Sequence, residues 1–438
     1  MKAIYEKDLL YTVLRPYVDW CCRHSYRRFE IHGKENIPSD GALIIAPNHC
    51  NTLMDALVML RAHKGSTVFG ARADLFKKQS IARIMHFLRI LPMVRQRDGL
   101  RNVLKNHESI QTITDTLEHG VRFCIFPEGR HRTMHSLLPF GKGVFRAALS
   151  ANARFGHEKP VYIVPAGIEY GDYFRYRSTC LITYGKALNV TEFVRNAETE
   201  NEAQLIEQLR QELASRMSGL ITCIKDDSSY RGKWELTKML ARRNKYRGLH
   251  GKMALNMGII AGIEQACISN PAKTEALLKR AEEFGESMDR MNLSSYSFGK
   301  KNPAVSAILK GTAAIAMFPY FIFCSAASLP MWAMFSFLKK KIKDKAFSNT
   351  AGFGIKLAMG PLVFALWTAL AFCFLPWQCG LAVSLLTIPS YSFFYDYTEF
   401  IRRFISDIRV LGKKEMRREY EEICTLAENM PTKISSAK

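Results

Sequence analysis

The chain has 438 residues, too many for one ordinary core, so two or three folded units are expected. Its 62 lysines and arginines against 40 acids leave a net charge of +22, which asks for an anionic partner: nucleic acid, a membrane surface or a phosphorylated substrate. Hydrophobic residues make up 48%, yet the mean hydropathy of −0.09 excludes a polytopic transporter and requires the apolar residues to be clustered.

In chain order, residues 1–30 read as a basic amphipathic helix. Leu9, Leu10, Val13, Leu14, Tyr17, Val18 and Cys21 share a face flanked by Arg15, Arg23, Arg27 and Arg28. This pattern suits a membrane-surface element or an ordinary domain helix, and Pro16 kinks or splits it. The first eight residues carry acids and no long apolar run, so no secretory signal is expected.

Residues 31–190 alternate short apolar runs with helical stretches. Strands are predicted at Leu43–Ala46, Thr67–Gly70, Phe123–Phe126, Val161–Ala166 and Leu181–Tyr184. Amphipathic helices are predicted at Asp55–His63, Lys78–Leu88, Asn102–His119 and Val144–Ala153. This alternation predicts an α/β unit with a mostly parallel central sheet flanked by helices. Residues 191–303 read as a charged helical region.

Residues 304–400 change character. Gly311–Leu338 is mostly apolar but interrupted by Pro319 and Pro330, which predicts a bent re-entrant or in-plane element. A basic run, Lys339–Lys345, follows it. Leu357–Pro376 is long enough to cross a hydrocarbon core of about 30 Å, and Gly380–Tyr395 is marginal. Trp377, Tyr391 and Tyr395 sit near segment ends as interface anchors, whereas Trp367 falls mid-segment. The basic run and Arg402-Arg403 place both ends of this hairpin on the cytoplasmic face. Residues 401–438 read as a charged helix and tail. The eleven cysteines show no metal-ligand spacing, so no metal is expected and they read as small buried hydrophobes.

Four blocks within 31–190 carry chemistry. The first is Asn48-His49 to Asp55, where a neutral imidazole can take a proton and a nearby carboxylate can fix its tautomer. The second joins Phe69–Phe76, containing Arg72, to Ile90–Arg97, containing Arg95 and Arg97. Those arginines are either a solvated basic face or phosphate ligands beyond strand ends, where ligands collect in open α/β sheets. The third is Phe126-Pro127-Glu128-Gly129-Arg130-His131-Arg132, followed by Gly141-Lys142-Gly143. Its Gly129 permits positive φ or close backbone approach to an anion. The fourth is Val161–Ile168, containing Pro165. Alone, each block has a bland structural reading as well as a functional one.

In this order and spacing the blocks resemble the phospholipid/glycerol acyltransferase family, whose motifs run NHxxxxD, an apolar strand ending in Arg, FPEGTR, and an apolar strand ending in Pro. The resemblance covers residues 40–190, and the membrane segments resemble the branch of glycerol-3-phosphate and dihydroxyacetone-phosphate acyltransferases. It implies His49 as general base and Asp55 as its orienting carboxylate. It implies Arg95 as a phosphate ligand, Glu128 and Gly129 as binders of the glycerol backbone, and Asn48, Pro127 and Pro165 in acyl-donor or structural roles. Charge and position add Arg72, Arg97 and Arg130 as substrate-binding residues.

Two departures stand out. Five residues separate His49 from Asp55 where the family has four, so the helix start must be wound differently. Arg130 stands in place of the family's Thr and His131 in place of its Arg.

The expected function is acyl transfer from acyl-CoA or acyl-carrier protein, as co-substrate, to glycerol 3-phosphate; the 1-acyl product is the alternative acceptor. No cofactor and no nucleic-acid partner is expected. The expected location is the cytoplasmic face of a membrane, a bacterial inner membrane. The competing readings are a lipid hydrolase, which lacks a GxSxG nucleophile motif, and a catalytically inactive membrane-bound lipid-binding protein.

Overall fold

The computed structural model describes residues 2–63, 65–93, 103–156, 158–300, 302–342 and 344–429. Two compact units result: Met1–Ile221 with Asp344–Phe353, and Thr222–Lys343 with Gly354–Lys438.

The first unit is built on strands β1 (Tyr26–His32), β2 (Ala42–Pro47), β3 (Thr67–Arg72), β4 (Ile90–Met93), β5 (Arg122–Cys124), β6 (Val161–Tyr170), β7 (Ser178–Tyr184) and β8 (Leu188–Asn189). They form one sheet in the order β1-β7-β6-β2-β5-β3-β4, with β8 also pairing β6. Strand β6 runs antiparallel to β7 and β8; the other described pairs are parallel. Parallel strands are covered on both faces, and all six residues of β2 are buried, as its unbroken apolar run requires.

Helices α1 (Leu9–His24), α2 (Thr52–Ala62), α3 (Gln79–Phe87), α4 (Val103–Glu118), α5 (Gly143–Phe155), α6 (Val190–Arg195) and α7 (Glu202–Ser218) flank the sheet. Ile44, Phe123, Phe145, Val161 and Ile163 form the centre of the main core.

Several expectations change here. The helix expected over residues 1–30 ends at His24, and Tyr26–His32 is an edge strand parallel to β7. The helix runs through Pro16 and keeps Leu9, Leu10 and Val13 exposed, so its apolar face is not a core face. Strand β4 was hidden behind Pro92. Helix α7, expected in the separate helical region, buries Ile206, Leu209, Leu213 and Met217 against the sheet's own core. At Gly167 a Cβ would lie 2.2 Å from the Leu220 carbonyl oxygen, so the chain leaving α7 requires glycine there.

The second unit contains α8 (Tyr230–Arg243), α9 (Gly248–Ser269), α10 (Pro271–Arg290), α11 (Ser295–Phe298), α12 (Pro303–Lys341), α14 (Trp377–Leu411) and α15 (Lys414–Glu428), with most of α13 (Phe347–Phe374). The charged stretch expected as a helix and tail includes helix α15, which also supplies Tyr420, Ile423, Cys424 and Ala427 to this unit's core.

The bent element expected at Gly311–Leu338 is part of the single helix α12, which continues through Pro319 and Pro330. Helices α12 and α13 are long and apolar enough to cross a membrane, with window hydropathies of 1.7 and 2.0. Their apolar side chains are exposed, Ile315 at 76% and Leu362 at 69%, which is the surface of a membrane-associated protein and not of a buried core helix. Trp367, which fits no interface position, donates its indole N–H to the Ala327 carbonyl at 3.2 Å. The α12–α14 pair is closed by Tyr397 donating to Ala314 O and Tyr320 to Leu386 O.

Candidate active site

Strands β2 and β5 are parallel neighbours, so their carboxyl ends open on one edge of the sheet. There the chain after β2 carries Asn48 and His49, and the chain after β5 carries Phe126–Gly129. Asn48 extends the pairing of β2 with β6: its Oδ1 accepts Ile168 N–H at 2.6 Å and its Nδ2 donates to Ile168 O at 3.1 Å. The side chain thus fixes where the next residue stands.

His49 Nδ1 lies 2.7 Å from Asp55 Oδ2. The extra residue between them is absorbed at the start of α2, where Thr52 takes φ +46°, a costly conformation for a β-branched residue. Asp55 is fully buried, and four N–H and O–H donors converge on it, with the weaker Cys50 S–H as a fifth at 3.8 Å. Oδ2 accepts from His49 Nδ1, Cys50 N–H (2.8 Å) and Asn51 N–H (2.6 Å), while Oδ1 accepts from Tyr170 O–H (2.8 Å). Burial, and then the neighbouring Asp55, push the Tyr170 phenol well up, so it serves as a donor. A carboxylate at Nδ1 assigns the proton to that nitrogen and leaves Nε2 as the basic one. The ring stacks on Phe126 at 4.3 Å and its side chain is 18% exposed, so Nε2 is reachable from solvent.

The neighbouring thiol is no nucleophile. Cys50 is buried, and desolvation followed by the Asp55 charge holds its pKa well above the usual thiol range.

Glu128 ties the two loops together. Its Oε1 accepts His49 N–H at 2.9 Å and its Oε2 accepts Leu138 N–H at 3.1 Å. Both oxygens therefore hold protein backbone. Burial raises its pKa to about 7, against the pull of those two hydrogen bonds. The sign follows from the raised value: between about 4.5 and 7 the folded chain binds the extra proton, so this group's contribution to stability falls as pH rises through that window. Glu128→Gln removes the slope, so its stability relative to wild type should rise from about pH 5 to about pH 8 by an amount on the order of 3 kcal/mol, read as a rise in relative melting temperature. Its activity should still fall, because an amide cannot accept both N–H groups.

Gly129 takes φ +63° with nothing within 4 Å of an added Cβ, so the turn requires glycine and opens onto free space. Pro127 is buried, and its carbonyl accepts Gly141 N–H at 2.7 Å, bringing the Gly141-Lys142-Gly143 turn to this edge. Arg130 is exposed on the same loop. Pro165 is buried within β6, paired with Ala46. Arg72 ends β3 as a half-exposed partner of Asp74. Arg95 and Arg97 lie outside the described residues.

Four contributors escaped the sequence reading. Tyr170 is one. The others come from Asp344–Phe353, far along the chain but part of this unit. Asp344 Oδ2 lies 3.1 Å from His131 Nε2, Phe347 meets the His131 ring edge-on, and Thr350 bonds Thr52 at 3.1 Å. His131 in turn stands edge-on to His49, 5.8 Å between ring centres. The one usable signal was Asp344 itself, the sole acid in a run of lysines.

Residues 28–169 match the acyltransferase family. Over 116 residues the chain is 31% identical to glycerol-3-phosphate O-acyltransferase 2 of Saccharomyces cerevisiae, covering 26% of this chain and 16% of that one. Over 124 residues it is 29% identical to human 1-acyl-sn-glycerol-3-phosphate acyltransferase alpha, covering 28% and 42%. The chain thus spans less than half the length of these curated relatives. Among solved structures, the 1-acyl-sn-glycerophosphate acyltransferase PlsC of Thermotoga maritima aligns with 48% of this chain and 83% of its own, at 20% identity and a TM-score of 0.32. The match to the acyltransferase family thus falls on residues 28–169, the stretch that carries the mostly parallel sheet and its histidine-bearing strand end.

Proposed function

We propose that the protein moves a fatty acyl group from a thioester donor, acyl-CoA or acyl-carrier protein, to a hydroxyl of glycerol 3-phosphate at the cytoplasmic face of a membrane. The observation that carries this reading is the His49–Asp55 pair, which leaves one basic ring nitrogen facing open space beside a thiol that burial disables. His49 Nε2 takes the hydroxyl proton as that oxygen attacks the thioester carbonyl. The C–O bond forms, the C–S bond breaks, and the leaving thiolate takes the proton back from His49. Asp55 offsets the charge of the imidazolium between these two steps. Transfer is direct, with no acyl-enzyme.

Glu128 positions His49 through its backbone N–H, and the open Gly129 turn with Arg130 and Lys142 nearby offers cationic and N–H contacts to the acceptor. Arg72, Arg95 and Arg97 remain proposed phosphate ligands. The exposed apolar faces of α1, α12 and α13 support association of the chain with a bilayer, where the acyl chain and the product belong. The basic run Lys339–Lys345 and Arg402-Arg403 support the cytoplasmic side.

Relatives of two acceptor classes are matched, so the test compares both. Detergent-solubilised protein should form lysophosphatidate from acyl-CoA and glycerol 3-phosphate faster than it forms phosphatidate from the 1-acyl acceptor. The reverse order would assign the 1-acyl compound as acceptor.

A further inference from the structure

The unit that does not carry His49 contains a second cationic cluster. The loop Ser294–Lys300, including the short helix α11, is pinned to α14 by buried hydroxyls. Ser406 Oγ accepts Ser294 N–H at 2.8 Å, and Ser297 Oγ donates to Asp407 Oδ1 at 2.7 Å. Lys300 and Lys310 both close on Asp407. Ser297 and Phe298 point inward from this anchor, while Tyr296 stays outside.

Two guanidinium groups cover the Tyr296 ring. Arg242 of α8 stacks on it, and Arg403 of α14 lies 4.5 Å from its centre. Lys252 of α9 adds a third charge. All three cations are half-buried. Arg403 is bonded to Glu399 at 2.6 Å, which also holds Arg402. Among the described residues, neither Arg242 nor Lys252 is paired with a carboxylate. Burial pushes the Tyr296 phenol up, yet Arg242, Lys252 and Arg403 outweigh it and bring the group down to about 8. A phenol displaced in that direction, with two guanidinium groups over its ring, reports positive potential that the protein itself leaves uncompensated.

The location is informative. Lys310 sits near the start of α12, which continues into exposed Ile315, Phe318 and Ile322. Arg403 sits near the end of α14, whose earlier turns expose Leu381, Leu385 and Ile388. The cluster therefore stands at the polar end of an apolar helix pair, the depth at which lipid phosphates lie. Two unpaired cations beside a phenol hydroxyl match a phosphate monoester, which carries about −1.5 to −2 at neutral pH.

We infer that Arg242, Lys252 and Arg403, arranged around Tyr296, form a binding site for the phosphate-monoester headgroup of an anionic lipid. The site shares no residue with the acyltransferase centre and does not depend on which acceptor that centre uses.

The test reads Tyr296 directly in the full-length protein, reconstituted in phosphatidylcholine nanodiscs. Tyrosinate absorbance is titrated for wild type, and the Tyr296→Phe curve is subtracted. The difference should titrate near 8 in neutral lipid, and phosphatidate in the disc should raise it by about one unit, because a bound anion cancels the potential. An equal shift with inorganic phosphate would overturn the lipid assignment in favour of a soluble anion. An equal shift with phosphatidylglycerol would overturn the monoester assignment, and no shift with any of them would overturn the site. Arg242→Gln with Lys252→Gln should weaken binding of a fluorescent phosphatidate about tenfold or more while release of CoA from acyl-CoA is unchanged. Unaltered binding in that folded double variant would equally overturn the proposal.

Discussion

His49→Ala should abolish acyl transfer by about two to four orders of magnitude while leaving the protein folded. The fold survives because the roles His49 plays in structure are those of its backbone: its N–H donates to Glu128 and its carbonyl accepts from Arg132, and alanine keeps both. The ring is partly exposed, stacks on Phe126 and meets His131 edge-on. Its removal leaves Asp55 with three of its four N–H and O–H donors, so the stability change should stay near about 1–2 kcal/mol. A melting curve beside a rate measurement separates the two effects: a large rate loss at a nearly unchanged melting temperature.

Asp55 should divide the same two readouts the other way, depending on what replaces it. Asp55→Ala strands the N–H groups of Cys50 and Asn51, the Nδ1 proton of His49 and the Tyr170 hydroxyl, in a site with no exposure. Orphaning buried donors of this kind costs about 3–5 kcal/mol, a large part of a domain's stability. Asp55→Asn is gentler on the fold. Its amide oxygen can occupy the Oδ2 position and keep three donors, and its NH2 can donate to the Tyr170 oxygen, which accepts as readily as it donates. What it lacks is the negative charge that offsets the imidazolium. Its rate should therefore fall by about two orders of magnitude or more, with a melting temperature much closer to wild type than that of Asp55→Ala.

Much of this site was legible because the physics that places it is local. Unbroken apolar runs such as Ala42–Ile45 can be satisfied only as strands covered on both faces, and chemistry-bearing residues directly after two such runs meet when the strands are parallel neighbours. That reasoning brings His49 and Glu128 to one edge. It does not show that both Glu128 oxygens are occupied by backbone N–H groups, because the Leu138 contact depends on how the following loop returns.

Strand β1 was lost for a different reason. Tyr-Arg-Arg-Phe-Glu-Ile-His is polar at alternate places because it is an edge strand, and it follows α1 with only Ser25 between them, so its arginines read as the basic flank of the helix. Helix α7 falls in the stretch expected to be helical, and it buries Leu205, Leu209 and Leu213, but a helical pattern does not name the core that buries it.

The seven-residue span from His49 to Asp55 looked one residue too long for the dyad. The remedy, a threonine at positive φ, runs against the local preference of a β-branched side chain, so nothing in the sequence could announce it. Asp344, paired with His131, has no spacing signal at all, because only the tertiary fold returns that segment to the sheet edge. Strained and long-range contacts of this sort concentrate at functional sites, which is where reading by local consistency is expected to fail.

The central claim, direct acyl transfer by His49 to a phosphate-bearing alcohol, is tested most directly by thiol release from acyl-CoA in one detergent preparation, with and without glycerol 3-phosphate, for wild type and His49→Ala. Release that depends on the acceptor in wild type and disappears in the variant is the predicted result. Release at the same rate without any acceptor, or undiminished in His49→Ala, would contradict it.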